Sequence, residues 1–106
     1  MRGKTDYAIS LYNLFVENLK SIGDFTYSPA KTRVAFQRRM RFAAINRIGR
    51  DFVNGHLILK KQRKSTKFYH IEQGVIHHFK ITRPEDIDDE FREFLREAHS
   101  VGMGGM

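Results

Sequence analysis

Apolar residues at Ala8, Leu11, Tyr12, Phe15, Leu19 and Ile22 fall three, four, seven, eleven and fourteen positions after the first, which is one stripe along a helix. Thr5 or Asp6 can cap its start, and Gly23 is expected to close it in the left-handed conformation. Beyond Gly23 the pattern changes to alternation. Phe25 and Tyr27 alternate with polar neighbours up to Ser28-Pro29, and residues 32–37 set Val34 and Phe36 on one face with Arg33, Ala35 and Gln37 on the other. After the basic connector RRMR, a third strand is expected over 42–48 and a fourth over 52–60, joined by the tight turn Gly49-Arg50-Asp51. Residues 60–67, KKQRKSTK, read as a polar loop. A fifth strand is expected over about 75–81, with 68–72 either extending it or forming a separate short strand.

The chain then returns to a helical period. Ile87, Phe91, Phe94, Leu95, Ala98 and Val101 form an apolar stripe that predicts a helix over about 84–101. Thr82 and Glu85 have capping-box spacing, and Pro84 suits a first turn. Helix, about five antiparallel strands, helix is the order of an α+β two-layer sandwich, because both apolar stripes can be buried on one face of a twisted sheet. Short connectors make a meander the simplest strand order. The 106 residues suffice for a single domain and one modest core, with an ordered part of about 5–101 and a flexible tail at 102–106.

Alternation also speaks to the most suggestive stretch, HHFKITRPEDIDDEF at 77–91. In a strand His77 and His78 point to opposite faces, so they are not expected to chelate a common metal; one should lie against the core and the other on the open face. Glu85, Asp86, Asp88, Asp89 and Glu90 sit where a helix start favours negative charge, and they are read as helix chemistry rather than as a metal site.

Charge is distributed unevenly. Residues 25–71 hold twelve basic groups against Asp51 alone, whereas residues 72–106 hold four basic and eight acidic groups. A positive middle attracts nucleic acid, a small anion or an acidic protein face. The expected contact residues are Lys31, Arg33, Arg47, Lys60, Arg63 and Lys64, with His78 as a hydrogen-bonding or stacking group. A protein partner or a homodimer is the alternative. There is no cysteine, which removes disulfides, thiolate metal sites and a cysteine nucleophile. No apolar run approaches the roughly 18 residues of a membrane span, and a cytoplasmic protein is expected. Glycine-rich phosphate loops and Ser-His-acid spacings are not legible, so a small-ligand-binding enzyme is the less favoured alternative and no cofactor is expected.

One resemblance adds to this reading. Lys31 with Phe36, the strand Phe42-Ala43-Ala44, the pair His77-His78, and PEDIDDE at 84–90 leading to Arg96-Glu97-Ala98 resemble the bacterial domains of unknown function 5655 over roughly residues 6–100. Such domains occur alone or at the C-terminus of longer proteins, some of them labelled predicted transport proteins. The resemblance implies a fold but no established activity.

Overall fold

The computed structural model describes residues 5–29 and 33–104. Helix α1 (Asp6–Ile22) is followed by six strands, β1 (Thr26–Pro29), β2 (Val34–Gln37), β3 (Arg41–Ile48), β4 (Val53–Ile58), β5 (Phe68–Glu72) and β6 (Ile76–Ile81). A 3-10 turn (Pro84–Asp86) then leads into helix α2 (Asp89–Gly102). The α+β class and the helix, strands, helix order are those the pattern predicts, with six strands rather than about five.

All neighbouring strands are antiparallel, in the order β1-β2-β3-β4-β6-β5. This departs from a plain meander at its end. The cause is the long connection from Ile58 to Phe68, which carries the chain past the β6 position before a hairpin at Gln73 and Gly74, with φ of 55° and 76°, turns it back. Two successive left-handed residues make the tight hairpin turn that matches strand twist, closed by the Val75 N–H donating to the Glu72 carbonyl at 3.2 Å. Residues 68–72 are therefore a strand of their own. The loop after β4 carries the chain to the sheet edge, and the hairpin then returns β6 to pair with β4.

The register sorts every strand residue by face. Val34, Ile45, Gly55, Phe79 and Phe68 lie across one row of the core face, and Phe36, Ala43, Leu57, His77 and Ile71 across the next. Phe15 of α1 packs its ring 5.6 Å from both Phe36 and Phe79, and 6.2 Å from Phe91 of α2. All four rings are at most 1% exposed. Burying aromatic side chains of this size from both helices and the sheet is the main source of the fold's stability.

Three terminus expectations are corrected. The first concerns Gly23, which has φ 171°, an extended rather than a left-handed backbone. Glycine is favoured there by close approach, since a Cβ would lie 2.7 Å from the His99 ring. At the second helix, Asp86 rather than Glu85 closes the turn, accepting from the Thr82 N–H at 2.9 Å and the Arg83 N–H at 3.2 Å. Finally, α2 begins later than 84: its cap is Asp88, whose carboxylate accepts the Phe91 N–H at 2.9 Å. Thr5 caps α1 by accepting the Ala8 N–H at 3.1 Å, one of the two candidates read from the sequence.

Candidate functional site on the open sheet face

The helices cover one face of the sheet and leave the other to solvent. Across that open face the register aligns Ala35, Ala44, His56, His78 and His70 in one row over β2, β3, β4, β6 and β5. Three adjacent strands thus present imidazoles side by side, with ring centres 5.6 Å apart for His56 and His78 and 5.4 Å apart for His78 and His70. A concave pocket of about 440 Å³ opens along this face, lined by Arg33, Asn46, His56, Glu72, Ile76 and His78.

Each polar member of the pocket is set by an identifiable local cause. Asn46 is delivered by a bulge in β3, where the register slips between Ile45 and Arg47. Its Nδ2 donates to Nδ1 of His56 at 3.2 Å. Because a neutral imidazole carries one proton, that bond leaves it on Nε2. Burial holds the His56 ring down at about 4, helped by His78 and Arg33 and only partly offset by Glu72, so His56 is uncharged at neutral pH. Glu72 ends β5 and places Oε1 3.0 Å from Nε2 of His78. The bond from His78 is the main reason why the Glu72 carboxyl lies below the usual carboxylate range. Oδ1 of Asn46 is buried and lacks a hydrogen-bond partner among the described residues.

Beyond the pocket the same face carries cations and flat rings. Arg47, Asn54 and Lys80 form the adjoining row. Lys80 Nζ lies 4.6 Å from the centre of the Phe52 ring and the Arg47 guanidinium 5.6 Å from it. Tyr69, 63% exposed, has its ring 6.2 Å from that of His78.

The residues expected from the sequence are thus divided between surfaces. Arg33 and His78 line the pocket, and Arg47 stands on the same face beside Phe52. Lys60 and Arg63 do not join them. Lys60 lies just past the end of β4 rather than within it, and the loop it opens runs toward the helix layer. There Glu97 of α2 accepts the Lys60 backbone N–H at 2.9 Å and holds the Arg63 guanidinium at 2.9 and 3.0 Å. Lys64 is exposed in the same loop. Lys31 falls outside the described residues.

His77 occupies the opposite side from His78, as alternation requires. It is fully buried, its Nδ1–H donates to the Val75 carbonyl at 2.7 Å, and its Nε2 accepts the Arg63 N–H at 2.9 Å. It is a clamp between β6 and the loop at 59–67. Among the described residues no three His, Asp or Glu side chains are grouped so as to hold a metal ion. Sequence reasoning missed His56, Asn46, Glu72 and Ile76 as pocket members. His56 could have been placed with His78 by parity once β4 and β6 were known to pair, but no local signal marks the bulge at Asn46.

A model of the family described as Domain of unknown function (DUF5655) matches residues 1–102. The chain belongs to that family. The match takes in the whole sheet and both helices, so the histidine row and its pocket lie inside the DUF5655 domain. No curated protein and no solved structure matches the chain. No helix of this DUF5655 domain, among the described residues, is long and apolar enough to cross a membrane. What the domain does must therefore be argued from the open face itself.

Proposed function

We propose that the open sheet face is a binding surface for a single-stranded polyanion, most simply nucleic acid, held by its phosphates at Arg33, Arg47 and Lys80 and by stacking on the exposed rings. The observation that carries this reading is that one face holds the cations Arg33, Arg47 and Lys80 together with a run of imidazole and phenol rings spaced 5.4–6.2 Å apart. Single strands are bound by this combination, since a basic groove tracks the backbone and every base has a face that stacks. Five strands at their usual separation make the row about 19 Å long, enough for a few nucleotides. The helix layer is a poorer candidate, because Glu97 already engages Arg63 there and Glu93 and Glu90 are exposed beside it.

The test is a fluorescence-anisotropy titration with labelled single-stranded RNA and DNA. Binding is expected at about 50 mM salt and is expected to fall steeply by about 200 mM, as phosphate contacts require. Arg33→Glu with Arg47→Glu should abolish it while the melting temperature stays that of the parent, since exposed charges contribute little to stability. Lys60→Glu should leave binding unchanged. Absence of binding at low salt, with a protein partner or self-association found instead, would replace this reading by that of an interaction module.

A further inference from the structure

We infer that the pocket bounded by Arg33, His56 and His78 takes the terminal phosphate of a nucleic-acid strand in preference to an internal phosphodiester. The inference rests on the nucleic-acid reading of the open face and adds a polarity to it: the strand would end in the pocket and run along the rings and cations outside it.

The argument starts from charge. An internal phosphodiester carries one negative charge and needs an open groove on both sides. A terminal phosphate monoester carries close to two at neutral pH and three acceptor oxygens, and it can enter a hollow end-on with no path needed out of the far side. The pocket gathers one guanidinium and two imidazoles, against the single carboxylate of Glu72 among its lining residues. His56 is uncharged in the free protein, so its Nε2–H and the His78 ring add hydrogen-bonding capacity beside the Arg33 guanidinium rather than fixed charge. The volume of about 440 Å³ is ample for a phosphate and its sugar. Arg33 supplies a forked donor, which suits phosphate oxygens pairwise.

His56 has a particular part in this. The groups that face it come from every strand around it: Arg33 ahead of β2, Asn46 of β3, His78 of β6 and Glu72 of β5, while Ala44 opposite it on β3 is apolar. In the free protein it is uncharged and donates through Nε2–H. A bound dianion offsets the positive charge of Arg33 beside the ring, and the ring then gains from taking up a proton. Glu72 acts in the opposite sense. It holds His78 by a hydrogen bond, and its charge opposes the ligand.

The experiment compares one short strand carrying a 5′-phosphate, a 3′-phosphate or hydroxyl ends, measured by anisotropy at one salt concentration, with a 5′-mononucleotide and inorganic phosphate as competitors. A terminal phosphate on one of the two ends should tighten binding by about tenfold, the scale of one or two charge-assisted hydrogen bonds. Arg33→Ala should remove that gain, leaving the two strands equal. Glu72→Gln keeps a hydrogen-bonding side chain and removes the opposing charge, so it should strengthen end binding severalfold, a change that loss of structure would not produce. In NMR spectra the His56 ring should titrate at higher pH in the complex than in the free protein. Equal binding of phosphorylated and hydroxyl-ended strands would overturn this inference and leave the proposed function standing. No binding of any strand would overturn both. A mononucleotide that binds as tightly as the strand would overturn the strand-end version in favour of a small ligand.

Discussion

His77 and His78 are neighbours in the chain and differ in almost everything that burial decides. His77 has both ring nitrogens bonded within the fold and packs edge-on against Phe68 at 4.8 Å. His78 lies on the opposite face, bonded to one carboxylate and lining a hollow. The same contrast separates the two faces of the sheet. Where helices cover the strands, polar atoms are paired internally and side chains are chosen for volume. Where nothing covers them, charges and rings are left presented to solvent, with a cost small enough for the core on the other side to offset. A polar residue is therefore informative about function only after its face is known.

The comparison is sharpest in the core. Phe91 is buried against Phe15 and Phe79, with the Phe79 ring 5.1 Å away, and Phe91→Ala should cost about 3 to 5 kcal/mol. Chemical denaturation checks this. A loss below about 1 kcal/mol would show that α2 is not packed as described.

The next largest effect separates the two histidines. His77→Ala removes buried volume and leaves the Arg63 N–H without its acceptor, so a loss of about 2 to 4 kcal/mol is expected. His78→Ala on the open face should cost about 1 kcal/mol or less. Equal losses in the two variants would erase the distinction between the faces.

A smaller effect tests the buried end of the open face. The His56 ring titrates at about 4 in the folded protein and near 6.5 when exposed. Between those values the unfolded chain binds more protons than the folded one, so stability should fall as the pH is lowered through this window. The expected loss is about 1 to 3 kcal/mol after allowance for the ring's partial exposure. His56→Gln should flatten that part of the stability–pH curve, and an unchanged curve would contradict the packing of His56 between Asn46, His78 and Arg33.

Some of this was legible in advance. The two helical stripes located α1 and α2, and the alternation from Phe25 to Ile81 located the strands to within a residue or two, with only the separateness of β5 left open. The face of His77 relative to His78 followed from parity alone. The candidate site was less legible. Arg33 and His78 follow from the regular alternation of the strands they lie in or beside, whereas Arg47 reaches the open face only through the bulge in β3. Lys60 and Arg63 were misgrouped with them, because a loop has no period from which to infer direction. The Thr82–Glu85 spacing matched a capping box, yet Asp86 and Asp88 do the capping, since small shifts in backbone path decide which carboxylate meets a free N–H.

What the sequence determined by itself was what depends on neighbours a few residues apart: helix stripes, strand parity, the acidic start of α2 and the excess of basic charge in the middle of the chain. The rest depends on partners far apart in the chain, which only folding brings together. The Gln73-Gly74 turn sends β6 back to β4, and that pairing sets His56 opposite His78 across 22 positions of sequence. A bulge in β3 adds Asn46, and the end of β5 adds Glu72. Local periodicity specifies which way a side chain points, whereas the pairing of strands specifies what it meets, and a binding pocket is made of such meetings.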